Sequence, residues 1–114
     1  MDLTGPELNK ARAMLAEKIR AEGEIMPGNI LLVDRFLNQQ MDIPLYRQIG
    51  KAFAEVFGDE GVTKVLTIEA SGIALAFATA QELGVPALFA KKKIPMNIGE
   101  NYYESRGVFI TKYA

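Results

Sequence analysis

The run TKVLTIEASGIALAFATAQELGVPALFAKKK, from Thr63 to Lys93, constrains the fold more than any other stretch, because it spells strand, short loop, helix and strand in succession. Val65, Leu66 and Ile68 form a short apolar run with β-branched members, the pattern of a strand buried on both faces of a parallel sheet. Glu69, Ala70, Ser71 and Gly72 interrupt it. Ile73, Ala76, Phe77, Ala80 and Leu83 then recur at helical spacing, which predicts one stripe facing the sheet, and Gly84 supplies the left-handed residue that stops a helix. Val85 and Pro86 lead into a second strand, Ala87 to Ala90. Two parallel strands joined through a helix make a βαβ unit, whose crossover is almost always right-handed. That handedness sets Ser71 and Gly72 at the carboxyl edge of the sheet and at a helix N-terminus, where α/β proteins hold phosphates.

The elements around this unit follow from local signals. Thr4 with Glu7 matches a capping box, Pro6 suits a first turn and Gly23 a stop, which predicts a helix over residues 4 to 23. Leu8, Ala11, Leu15 and Ile19 are its inward stripe. Pro27, Gly28 and Asn29 make a turn before a second apolar run, Ile30 to Val33, that ends at Asp34. Arg35 to Asp42 has no period: Asn38, Gln39 and Gln40 read either as a solvated loop or as a polar patch beside an apolar pocket. In the latter, a carboxamide offers a donor and an acceptor to a heterocycle edge. Asp42 is a helix cap, Pro44 lies in the first turn, and Leu45, Ile49, Ala52, Phe53, Val56 and Phe57 form a core stripe up to Gly58. Asp59 to Gly61 is a charged turn. Lys91, Lys92 and Lys93 are either a solvated strand end or an anion site at the sheet edge. Residues 94 to 106 read as a long loop and Gly107 to Lys112 as a last strand.

Composition narrows the chemistry. The 114 residues, 49% of them hydrophobic, suffice for one domain near the small end of independent stability. A net charge of −1, a pI near 5.5 and no basic block longer than three residues give no support for general nucleic-acid binding. Without cysteine there is neither a disulfide nor a thiolate metal site, and without histidine there is no imidazole base and almost no route to zinc. Carboxylates, lysines, hydroxyls and backbone amides are the remaining tools. The first twenty residues are too charged for a signal peptide and no apolar run approaches membrane-spanning length, so the expectation is a cytoplasmic protein.

Three segments together resemble the xanthine phosphoribosyltransferase family: NILLVDRFLNQQMD (Asn29 to Asp42), KVLTIEASGIALA (Lys64 to Ala76) and GVPALFAKKK (Gly84 to Lys93). Glu104-Ser105-Arg106 and the FITK strand follow at about the family's distance. The first segment is the specific one, since small-residue turns between strand and helix occur in many folds. The resemblance implies an α/β chain with a partial type I phosphoribosyltransferase fold, a parallel sheet with flanking helices and a flexible hood over about residues 94 to 112. It also implies a reaction, xanthine plus phosphoribosyl pyrophosphate giving xanthosine monophosphate and pyrophosphate, with magnesium accompanying the diphosphate and homodimers as the working form. Leu31 and Asn38 match xanthine-contacting positions; Glu69, Ala70, Ser71 and Gly72 match the pyrophosphate loop; Lys91 and Lys92 match its basic pair. No nucleophilic side chain and no protein metal ligand are implied. Ala70 stands where some members have a second serine, Leu75 where proline is common, and Gln39 and Lys93 where histidine is common.

One family feature has no counterpart here. An apolar strand ending in two acidic residues and a small-residue loop grips the ribose and its 5′-phosphate in the family, whereas the adjacent acidic pair here, Asp59-Glu60, follows a helix. The expectation is therefore an N-terminal part of a phosphoribosyltransferase domain, residues 1 to 114, inactive by itself and completed by a second copy or by a missing C-terminal half. A competing reading is a non-catalytic purine- or nucleotide-binding module, or an oligomerisation fragment. A dinucleotide-binding half-domain is disfavoured, because the βαβ loop lacks G-x-G-x-x-G.

Overall fold

The computed structural model describes residues 1–33, 35–37, 40–93 and 104. Its elements are α1 (Pro6–Glu22), β1 (Glu24–Met26), β2 (Ile30–Leu32), α2 (Ile43–Phe57), β3 (Val65–Ile68), α3 (Ile73–Leu83) and β4 (Ala87–Ala90). The expected hood and the strand Gly107 to Lys112 lie outside the described residues, Glu104 apart. No described helix is long and apolar enough to cross a membrane.

The βαβ unit forms where the sequence places it. β3 and β4 pair in parallel from Val65↔Ala87 to Ile68↔Ala90. The ladder is extended at both ends, by Val65 N–H donating to the Pro86 carbonyl and Glu69 N–H to that of Ala90, each at 3.0 Å. Gly84 ends α3 at φ 69°, and its N–H and that of Val85 both donate to the Ala80 carbonyl, as a left-handed cap requires. The result is the expected α/β architecture, a small parallel sheet with flanking helices.

The stripe of α3 is different from the one expected. Ala76, Ala78, Thr79 and Ala80 are buried, while Phe77 is 66% and Ile73 37% exposed. The cause is α2, which packs on α3 more extensively than either strand does. A Cβ added to Gly50 would lie 2.6 Å from the Ala78 carbonyl oxygen, so the two helices approach closely and only small side chains fit between them. Thr79 joins this contact because its hydroxyl donates to the Leu75 carbonyl at 2.8 Å and leaves no unpaired polar atom. The two-faced burial expected of β3 is not met among the described residues either. Val65 and Thr67 are half-buried, whereas Leu66 and Ile68 are 68% and 52% exposed.

The capping box of α1 does not form. The cap position is Gly5, in extended conformation, and the helix runs from Pro6 to Glu22 before stopping at Gly23. Thr4 donates its hydroxyl to Asp2, holding that carboxyl below the usual carboxylate range, and Glu7 accepts from the amide of buried Gln48 at 2.7 Å. The free amides at the start of α1 are met from a distant helix instead: the Glu55 carboxylate accepts from Glu7 N–H at 3.0 Å and Leu8 N–H at 3.2 Å. The stripe of α1 does turn inward, with Ala11 buried and Leu8, Leu15 and Ile19 half-buried.

β1 has no clear sequence signal and was not expected. It pairs antiparallel with β2 across Pro27-Gly28-Asn29, whose Gly28 and Asn29 have φ of 86° and 59°, the left-handed region that glycine and asparagine tolerate best. α2 begins as expected at Asp42, whose Oδ1 accepts from Leu45 N–H at 3.1 Å. Its buried set is Leu45, Tyr46, Gln48, Gly50 and Ala52, while Phe53 of the expected stripe is 40% exposed. A helix held between α1 and α3 buries two faces, so no single stripe describes it.

Two outcomes follow. Gly50→Ala should lower the urea midpoint. The helix-propensity gain of about 1 kcal/mol is smaller than the roughly 1–3 kcal/mol of overpacking against a backbone oxygen that cannot move aside. A raised midpoint would show that the helices separate easily. The second outcome concerns acid. Asp42 accepts from Lys18 at 2.7 Å and from the Leu45 amide, which in that order hold its carboxyl below the usual range, while Asp42 and then Glu22 push the Lys18 ammonium up. A depressed carboxylate contributes stability above its unfolded value of about 3.9 and loses it as pH falls through the folded value. Urea midpoints should therefore fall below about pH 4 less steeply in Asp42→Asn, which still caps the helix. An unchanged slope would remove Asp42 from the acid response.

Candidate functional site

The carboxyl edge of the parallel pair brings two of the sequence-predicted groups together. Because Ile68 pairs with Ala90, the Glu69–Gly72 loop and Lys91–Lys92 leave adjacent strand ends side by side. Glu69 bridges them: its N–H donates to Ala90, and its carboxylate accepts from the backbone N–H of Lys92. The Lys91 ammonium stands 5.4 Å from the centre of the Phe89 ring, a cation–π distance. Ser71 is exposed and Gly72 half-buried. α3 starts at Gly72 without a side-chain cap. Its Ile73 N–H donates to the Ala70 carbonyl at 3.2 Å, and the positive end of its dipole lies at this loop. A helix start beside a basic strand end is an arrangement that suits an anion.

Gly72 is fixed by packing. A Cβ there would lie 2.1 Å from Thr67 Oγ1 and 3.2 Å from the Ile68 carbonyl oxygen, so the loop folds back tightly on the strand it has just left.

Of the two base-contacting candidates, Leu31 is not at this edge. Leu31 sits in β2 opposite Ile25, with its side chain beside Gly23 at the end of α1. β2 makes no extensive contact with β3, α3 or β4. Asn38 lies outside the described residues. The ends of the segment that carries it are described. Phe36 is only 1% exposed; its N–H and that of Leu37 donate to the Val33 carbonyl, and its own carbonyl accepts from Asp42 N–H at 3.0 Å. Sequence reasoning missed Phe36 as an anchor. A lone aromatic residue in an aperiodic polar segment was the available signal.

A cleft of about 300 Å³ lies between α1 and the start of α2, lined by Met14, Glu17, Lys18, Ala21, Glu22 and Leu45. It includes none of the predicted site residues. Among the described residues there is no group of three or more Asp, Glu, His or Cys side chains that could hold a metal ion.

Against known proteins, the chain is 48% identical over 99 residues to the xanthine phosphoribosyltransferase of Pseudomonas aeruginosa, covering 87% of this chain and 52% of that protein. The xanthine phosphoribosyltransferase of Listeria innocua gives the same identity and coverage. That of Limosilactobacillus reuteri is 44% identical over 98 residues, 86% of this chain and 51% of the relative. Over 86–87% of its length the chain is similar to these xanthine phosphoribosyltransferases. It spans about half the length of the curated relatives it matches. No protein-family model matches it.

The tight loop at Gly72 is open to a test. Gly72→Ala should destabilise the chain by on the order of 1 kcal/mol, because its φ of −79° tolerates a side chain but the space beside Thr67 does not. In a Thr67→Ala background the added cost should shrink, a coupling that a double-mutant cycle of urea midpoints measures directly. Strictly additive costs would mean the loop relaxes without help from Thr67.

Proposed function

We propose that this chain forms the base-binding and pyrophosphate-binding part of a xanthine phosphoribosyltransferase, an enzyme that transfers phosphoribosyl from phosphoribosyl pyrophosphate to xanthine. The observation that carries this reading is the meeting of the uncapped start of α3, the Glu69–Gly72 loop and Lys91–Lys92 at one sheet edge. The relatives' name supplies the reaction. In it the bond from the anomeric carbon to pyrophosphate breaks and a bond to a purine nitrogen forms, the leaving pyrophosphate keeping the electron pair. Such a step needs positioning and stabilisation of the departing charge more than covalent help, which fits a chain without cysteine or histidine. Ser71, Gly72 and the loop amides would hold the pyrophosphate, and Lys91 and Lys92 would neutralise it. Leu31 and Asn38 would contact the purine. Magnesium would arrive with the diphosphate, and no step is assigned to it. The working form in this reading is a cytoplasmic homodimer.

The alternative reading is a purine-binding module without catalysis. Calorimetric titration with xanthine and with phosphoribosyl pyrophosphate, beside an assay for xanthosine monophosphate, separates the two. Asn38→Ala should weaken xanthine binding by about 0.5–1.5 kcal/mol, the value of one neutral hydrogen bond, and leave phosphoribosyl pyrophosphate binding unchanged. Unaltered xanthine affinity would remove Asn38 from the site.

A further inference from the structure

The hydrogen bonds of Glu69 enclose one residue of the neighbouring strand end. Its N–H donates to the Ala90 carbonyl at 3.0 Å, and its carboxylate accepts from the Lys92 N–H. The residue between those two contacts is Lys91. A backbone held immediately before and immediately after a residue fixes the direction in which that side chain leaves it. The direction here is toward the start of α3. In the parallel register Thr67 lies beside Phe89, so the two side chains share one face of the sheet. Gly72, where α3 begins, packs on that face, since a Cβ there would meet Thr67 Oγ1. Thr67 is accordingly half-buried, while Leu66 and Ile68 of the opposite face are exposed. The Lys91 ammonium stands over the Phe89 ring and so lies on the covered face as well. A cation and a helix N-terminus on one side of a sheet edge can act on the same anion.

We propose that Glu69 is a positioning residue for pyrophosphate binding, which aims Lys91 at the start of α3 and does so as a hydrogen-bond acceptor, not as a charge. The proposal rests on the pyrophosphate reading above. A carboxylate in this loop repels an anion, so its negative charge by itself works against binding. Its acceptor oxygen works for binding, through the backbone on the far side of Lys91. The two contributions can be separated, because a carboxamide keeps the acceptor and loses the charge.

The experiment is calorimetric titration of the full 114-residue chain with inorganic pyrophosphate at one fixed magnesium concentration. Glu69→Gln and Glu69→Met are alike in length and both neutral, and of the two Gln has the acceptor oxygen. Glu69→Gln should bind pyrophosphate about two- to tenfold more tightly than Glu69→Met, the range for one hydrogen bond. In a Lys91→Met background that ratio should fall to about one, because no ammonium is left to place. Equal binding by the two Glu69 variants would show that the acceptor does nothing for the anion and overturn the proposal. A ratio that persists in the Lys91→Met background would trace the loss to the loop or the fold at large, and overturn it too. If Lys91→Met by itself binds pyrophosphate as tightly as the unaltered chain, the positioning role is wrong and the pyrophosphate reading stands on the loop. If the unaltered chain does not bind pyrophosphate, both are wrong together.

Discussion

The contact of Gly50 with the Ala78 backbone decides where everything else can be. α2 lies between α1 and α3, so its distance from α3 sets how the βαβ unit stands relative to the N-terminal helix. Small side chains make that distance short, at a cost: alanines and a glycine bury little apolar area each, at about 25 cal/mol per Å². Among the described residues, Phe36, Leu45 and Tyr46 are the large side chains buried almost completely. The α1–α2 side is accordingly tied by polar contacts. Gln48 bridges to the backbone and carboxylate of Glu7, Glu55 receives the first amides of α1, and Lys18 meets Asp42. A capping interaction of this kind contributes about 1 kcal/mol and a partly exposed ion pair less. Together they fix the angle of α1 more than they add to total stability.

The same geometry leaves apolar surface open on the parallel pair. Alternation puts Leu66 and Ile68 on one face of β3, and the register puts Leu88 beside Leu66 on the same face. All three are exposed. A run without polar alternation is the pattern of a strand covered on both sides, and α3 covers one. The chain spans about half the length of the relatives it matches. The open face of β3, and its single parallel neighbour among the described residues, belong to the description of any solution measurement on this chain, since bare strand edges and apolar patches favour association.

Local signals were legible wherever the cause and the effect lie close in sequence. Gly84 stops α3, Asp42 starts α2 and Pro27-Gly28-Asn29 turns the chain, each through a bond or a dihedral angle that a few adjacent residues decide. The capping box failed because both of its residues have better partners, Thr4 in Asp2 and Glu7 in Gln48, and the second of these is supplied by tertiary structure. The stripe of α3 was misread because the helix is apolar nearly all round. Ile73-Phe77 and Ala76-Ala80 fit the period equally, and only the nearness of α2 selects the small face. The adjacency of the Glu69–Gly72 loop and the lysines was legible because both follow strand ends. The anchors Phe36 and Lys18 were not, because each works through residues that folding alone brings near.

Glu69 shows how the two kinds of information combine. A carboxylate in a loop proposed to hold pyrophosphate is electrostatically unwelcome, since like charges a few ångströms apart repel even in water. The structure gives it other work. By accepting from the Lys92 backbone N–H, while its own N–H donates to Ala90, Glu69 ties the end of β3 to the end of β4. That tie holds Lys91 and Lys92 beside the start of α3, so one negative charge serves to fix the place of two positive ones. Lys93 follows directly in the chain, so residues 69–72 and 91–93 carry three lysines and one carboxylate between them. The tie leaves the edge net positive, and the residue that looks wrong for an anion site in the sequence becomes the one that holds its two halves together.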